Sequence, residues 1–396
     1  MTRSSTAKPP APAIRKFDAV PLLDLHRQYE KTRDQVLAAV ERVCSSQQFI
    51  LGSEVEALER EIATFTGAAA AVGCASGTDA LWLALLAAGV QPGDAVITAA
   101  FSFFASASAI VRAGARPVLL DVDPHTLNLA AAQVEAKLRA SGSYRVRALL
   151  PVHLYGQCAD MDTLQRIADE FQLPIIEDAA QAIGAAWRNK RAGSLGVAAA
   201  FSFYPTKNLS AYGEAGLVTT RDPEFAEHMR RLRTHGSARR YRHEEFGWNA
   251  RMDAIQAAIL RVKLPYIAEW NQQRRERAAS YDQLLAQTGL WSAKSDSPLR
   301  PLQISPHAHH VFHQYVVRAK RRDELRQFLT DRKIGTEIYY PIPLHLQPCF
   351  AYLGYRQGDL PVSERASKEV LALPMFPELT EIEQKWVVES MAEFYS

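Results

Sequence analysis

A chain of 396 residues with 46 basic and 43 acidic side chains carries a net charge of only +3, too small an excess to make nucleic acid or an anionic membrane an obligatory partner. Its four cysteines, Cys44, Cys74, Cys158 and Cys349, are scattered without a CxxC pair or a His/Cys cluster at zinc spacing, which argues against a disulfide scaffold or structural zinc and fits a reducing cytoplasm. No apolar run approaches the roughly 18 residues of a membrane span, and the first residues lack the apolar core of a signal peptide.

Taken in order, residues 1 to 16 are Pro-, Ser- and Ala-rich and read as a disordered tail. From Val20 the pattern becomes regular, with helices predicted over Leu25 to Val43 and Ser53 to Phe65, the second opened by a capping-box spacing of Ser53 and Glu56. Short apolar runs then alternate with helical stretches: Ala70 to Cys74, Ala95 to Thr98, Pro117 to Val122, Ala148 to Leu154, Pro174 to Ile176 and Ala198 to Phe203. This alternation predicts an α/β domain with a largely parallel sheet and helices on both faces. An arginine-rich helix and the loop Gly247 to Met252 follow, then a long helix from Asp253 to Leu285. The remainder reads as a smaller α+β unit, so the expected division is a large domain over 17–265 and a small one over 266–396. No GxGxxG follows the first strand, which removes a dinucleotide-binding dehydrogenase.

Chemistry concentrates where predicted strands end, because ligands of such sheets gather outside the strands' carboxyl ends. Ala198 to Phe203 is a strand suited to burial on both faces, and Pro205 stops it, so Lys207 is delivered just beyond its end. A lysine held among apolar and aromatic neighbours loses the solvation of its ammonium form and becomes a nucleophile and base. Ser76-Gly77-Thr78-Asp79 opens an apolar helix, a place for a phosphate or simply a helix cap. Pro174 to Asp178 ends in two carboxylates with Gln181 three residues on; Asp178 suits the nitrogen of a protonated ring, or the cap of the next helix. Phe103 is placed either to stack on a planar ring or to join the core. Six arginines between His228 and His243, Arg239 and Arg240 among them, form a solvated face or a pyrophosphate clamp.

Four motifs, Ser-Gly-Thr-Asp-Ala-Leu at 76–81, Glu-Asp-Ala-Ala-Gln at 177–181, Ser-Phe-Tyr-Pro-Thr-Lys-Asn-Leu at 202–209 and Gly-Trp-Asn-Ala-Arg-Met-Asp at 247–253, together resemble the DegT-type sugar aminotransferases. The likeness runs from about Val20 to the C-terminus. It implies a three-layer, fold-type I aminotransferase with pyridoxal 5′-phosphate (PLP) as cofactor. Lys207 would bind PLP covalently, Asp178 would pair with the pyridine nitrogen, and Gln181 would contact the ring hydroxyl. Gly77, Thr78 and Ser202 would hold the phosphate, and Phe103 would stack on the ring. Asn249 would reach the cofactor of a neighbouring subunit, making a homodimer the functional unit. The family aminates nucleotide-linked keto sugars, usually at the expense of glutamate, which gives Tyr204, Arg239, Arg240, Tyr340 and His345 a possible place beside the sugar. The segments 203–213 and 341–345 resemble family members acting on 3-keto rather than 4-keto sugars. Sugar dehydration and a non-catalytic regulatory descendant are the rival readings. Dehydration is opposed by the presence of Lys207 where dehydrating members carry histidine, and the regulatory reading by the intact cofactor motifs.

Overall fold

The computed structural model describes residues 19–140, 144–292 and 296–396; the expected N-terminal tail lies outside them. Seven strands form the central sheet, in the order Ala70–Cys74, Gly216–Thr220, Ala198–Ser202, Ile176–Asp178, Val146–Leu150, Ala95–Ala99, Arg116–Leu120. The two hydrogen-bonded halves join through parallel bridges from Leu149 to Ile175 and from Val152 to Asp178. All strands run parallel except Gly216–Thr220, which is antiparallel to both its neighbours. Ala, Val, Ile and Leu fill these strands without alternation because helices cover both faces, and every residue of Ala95–Ala99 and Gly216–Thr220 is buried.

Boundaries differ from the sequence expectation in instructive ways. Ser53 is the first helical residue of Ser53–Thr66 and makes no capping bond, because Gly52, at φ 81°, occupies the cap position. A capping box stands instead at Thr380 and Glu383, opening Glu381–Tyr395. There Arg27 forks onto Glu383 with contacts of 3.0 and 2.6 Å and ties the first described helix, Leu25–Ser46, to the last. The single long helix expected from Asp253 is two, Ala254–Lys263 and Ile267–Gln287, joined by the 3-10 turn Leu264–Tyr266 that contains Pro265. Proline has no N–H to continue the ladder.

Beyond that turn a second, antiparallel sheet of Leu299–Pro301, Tyr315–Ala319 and Val370–Leu373 packs with helix Arg322–Asp331, on which helix Glu381–Tyr395 lies in turn. Among the described residues no helix is long and apolar enough to cross a membrane.

Candidate active site

Parallel strands share one carboxyl end, and four of them deliver side chains there. They line a cavity of about 670 Å³. From the strand Ala198–Ser202 come Ser202, Tyr204 and Lys207; from Ile176–Asp178 come Asp178 and Gln181. Gly77 and Thr78 follow Ala70–Cys74, and Phe103 follows Ala95–Ala99. Tyr340 closes the opposite wall, its hydroxyl accepting from Gln181 Nε2 at 2.9 Å.

Lys207 is partly exposed on the cavity wall, yet surrounding protein lowers its pKa to about 8 through burial, with Asp178 acting against the shift. Near neutral pH an appreciable share is therefore free amine, which an ordinary lysine is not. Asp178 responds the other way. Burial raises its pKa, opposed by the Ser106 hydroxyl donating at 2.6 Å, by the Ala180 N–H and by the Lys207 charge. Ser106 in turn meets the Ser102 hydroxyl at 2.8 Å.

The preceding carboxylate faces elsewhere, as strand alternation dictates. Glu177 is fully buried and accepts from the N–H groups of Gly193, Leu195 and Gly196 at 2.8 to 3.0 Å, with His153 Nε2 at 2.9 Å. It fastens the loop that feeds the lysine-bearing strand.

The start of helix Gly77–Ala87 is pressed against Ser202: a Cβ on Gly77 would stand 2.5 Å from the Ser202 Cβ, and one on Gly216 would stand 2.1 Å from the Ser76 carbonyl oxygen. Only glycine permits either approach. Ser76 caps the helix by accepting from Asp79 N–H at 3.1 Å, and Gly77 and Thr78 of the first turn line the cavity together with Ser202. A helix N-terminus with added hydroxyl donors is a fitting cradle for a phosphate dianion. The residues present thus suit a phosphorylated pyridine aldehyde: an amine to bind it, a carboxylate for its nitrogen, and donors for its phosphate.

Other expected positions do not come together here. His345 sits in the 3-10 turn Leu344–Leu346, buried, with Nε2 on Glu364 at 3.1 Å; it does not line the cavity, which corrects the expectation of a sugar-facing histidine. Of the six arginines, Arg233 is buried against Glu59 at 2.6 Å, Arg230 pairs with Glu59 and Glu227, and Arg231 pairs with Glu245. These three are neutralised within the fold and are no pyrophosphate clamp. Arg239 and Arg240 are exposed on the hairpin formed by Ser237–Arg239 and Arg242–His243. Asn249 is also exposed, accepting from Arg251 Nε at 2.9 Å, and none of the three lines this chain's own cavity.

Sequence reasoning missed Ser106, Tyr155 and His313. Tyr155 N–H donates to Gln181 Oε1 at 2.6 Å and its hydroxyl donates to the Tyr339 carbonyl, so it sets how the Gln181 amide is turned.

Over residues 30–392 the chain matches the DegT/DnrJ/EryC1/StrS aminotransferase family. The chain belongs to that family. Among its relatives, a pleiotropic regulatory protein of Geobacillus stearothermophilus is 51% identical over 95% of this chain and 98% of its own length. A UDP-N-acetyl-3-dehydro-α-D-glucosamine 3-aminotransferase of Acidithiobacillus ferrooxidans is 42% identical over 92% and 94%. A dTDP-3-amino-3,4,6-trideoxy-α-D-glucose transaminase of Streptomyces venezuelae is 43% identical over 95% and 96%. The crystal structure of S. venezuelae DesV in complex with a ketimine intermediate superposes with a TM-score of 0.90 at 42% identity, covering 96% of this chain and 99% of that one. The fold is thus that of the DegT-family aminotransferases, with the three layers and mostly parallel sheet expected from the motifs.

Proposed function

We propose that this protein transfers an amino group from an amino acid, glutamate, to a 3-keto sugar carried on a nucleotide, using PLP held in the cavity. The observation that carries the reading is the pairing of Lys207, its pKa depressed to about 8, with Asp178 beside a helix-start phosphate cradle. PLP, when bound, supplies a protonated ring that draws electrons from the carbon losing its proton. Asp178 keeps that ring protonated, because a buried carboxylate favours a positive partner over solitude. Lys207 would hold PLP through its amine and, with that amine free, would be the base that moves the proton. Gly77, Thr78 and Ser202 anchor the phosphate, Phe103 covers the ring, and Gln181 retains a second amide hydrogen for the ring hydroxyl. Tyr204 and Tyr340 are placed to meet the sugar.

Support for the 3-position comes from the relatives named for 3-amino sugars, which differ in nucleotide, UDP in one and dTDP in the other. A site built around tyrosine hydroxyls rejects a misplaced carbonyl by leaving its own donors unpaired. With glutamate saturating, nucleotide-linked 3-keto sugars are expected to show a higher kcat/KM than their 4-keto isomers, with amination followed by mass spectrometry. A preference for the 4-keto compounds would overturn the position but not the chemistry. The name of the 51% identical relative favours a second reading, a regulator without catalysis. A PLP-dependent visible band that borohydride abolishes separates the two, since a binding protein lacking the covalent link gives none.

The domain division at 265/266 is also proposed; the Leu264–Tyr266 turn between the two sheets favours it. So is a cytoplasmic homodimer in which exposed Asn249 serves the partner's cofactor and Arg239 and Arg240 the partner's substrate. Mixing inactive Lys207→Ala chains with inactive Asn249→Asp chains should restore activity on subunit exchange, because one hybrid site then holds both native residues. Exchange without recovery would return Asn249 to its own chain.

A further inference from the structure

One buried histidine of the cavity has no task in the chemistry above. His313 is 8% exposed, precedes the strand Tyr315–Ala319 and lines the same cavity as Lys207. Its Nδ1 lies 3.1 Å from Asn208 Oδ1, and Asn208 is the residue after the lysine.

Three other bonds decide which ring nitrogen carries the proton. Asn271 Nδ2 donates to the Ile183 carbonyl at 2.9 Å, so the Asn271 oxygen faces Asn208. Asn208 Nδ2 donates to that oxygen at 2.8 Å and to the Val311 carbonyl at 3.2 Å. The remaining Asn208 oxygen can only accept, and His313 Nδ1 must be the donor. Two backbone carbonyls thus fix the tautomer from a distance. Burial first, then the charges of Lys207 and Arg274, holds the ring neutral, well below the usual histidine range. Nε2 is left with a lone pair and with no hydrogen-bond partner among the described residues.

We propose that His313 is a positioning residue for Lys207: its bare Nε2, on the wall of the cavity that both residues line, is the acceptor toward which the Lys207 amine turns one hydrogen as it moves the proton, which narrows the directions open to the amine's own lone pair. The proposal rests on the aminotransferase reading of Lys207. A lysine amine on a four-carbon stem has three rotatable positions for its lone pair, and one fixed acceptor, by taking a hydrogen, removes one of them. A protonated His313 would instead point a donor at the lysine. The surroundings prevent that: Lys207 from the loop after its strand and Arg274 from helix Ile267–Gln287, whose Nη1 bonds the His313 carbonyl at 3.3 Å, both oppose a positive ring, and His310 on the same segment is itself held neutral by burial. Glu337, Tyr339 and Tyr340 share the cavity wall.

The test begins with the PLP-free protein. Nitrogen NMR of histidine-labelled chains, with His313 assigned by its loss in His313→Gln, should show Nδ1 protonated and Nε2 bare across neutral pH. The Lys207 titration, read from the pH dependence of its reductive methylation, should move to lower pH in His313→Leu, because a lost acceptor favours the ammonium less. In the PLP-loaded enzyme His313→Leu should slow the glutamate half-reaction roughly 10²-fold through misalignment, with the glutamate dissociation constant held. His313→Gln, whose side-chain oxygen can accept in place of Nε2, should keep most of the rate. Asn208→Asp should draw a second proton onto the ring and move the acid limb of the half-reaction to higher pH. A proton on Nε2, or a Lys207 titration identical in wild type and His313→Leu, would overturn the proposal. Both readings use the protein without cofactor, so they stay separate from failure of the aminotransferase assignment, which would appear as no amination by the wild type.

Discussion

Lys207→Ala yields a folded protein that still takes up PLP in the phosphate cradle yet loses turnover by several orders of magnitude. The lysine head contributes no hydrogen bond to the fold among the described residues; only its backbone N–H, donating to the Tyr204 carbonyl at 2.8 Å, holds the turn, and alanine preserves that. Two signatures accompany the loss. The borohydride-sensitive visible band disappears, and the wild-type rate of covalent PLP capture, which needs the free amine, rises with pH and levels off above about 8 rather than near the 10.5 of an ordinary lysine. The sign follows from the cause: burial penalises the ammonium, so the nucleophilic form is populated at lower pH. Half-maximal activity in Lys207→Ala would remove this residue from the mechanism.

Asp178→Asn is expected to slow the glutamate half-reaction by roughly 10²-fold or more, the scale on which a single preorganised electrostatic partner acts. Asparagine fills the same volume: its oxygen can keep the Ala180 N–H, and its NH2 can donate to the Ser106 hydroxyl, which turns from donor to acceptor, so the fold persists. What changes is charge. A neutral amide does not hold a proton on a pyridine nitrogen, and the electron sink weakens. Stopped-flow absorbance under single-turnover conditions isolates this step, and unchanged kinetics would assign ring protonation to another group.

The alternation of strands and helices that builds the central sheet and the place of Lys207 just past its strand were legible in the chain, because unbroken apolar runs, Pro205 and the motif spacing are local signals; the order of the strands was not, because it depends on pairing between distant segments. The cap at Ser53 was misread because Gly52 competes for the same role and its positive φ leaves no trace in a pattern of polar residues. Arg230, Arg231 and Arg233 read as one cluster, yet apart from Glu227, three residues before Arg230, their partners Glu59 and Glu245 lie on a separate helix and a separate loop, and pairing at such range is invisible to spacing. His313 was missed for the same reason: its meaning comes from Asn208, 105 positions away. Ser106 reaches Asp178 across 72 positions. His345 shows the opposite failure, a residue of suggestive chemistry in a motif whose backbone turns it toward Glu364.

Glu177 and Asp178 stand side by side in one strand, and a library that scored clones on product alone would rank damage at the two positions alike. The origins of that damage are different. Without its carboxylate, position 177 leaves three buried loop N–H groups unpaired, and unpaired buried donors are removed by unfolding; the culture then contains fewer competent molecules, each as fast as before. A change at 178 leaves their number alone and makes each one slow. Selection for expression therefore polices the first acid and selection for flux the second, so the two can drift independently although no residue lies between them.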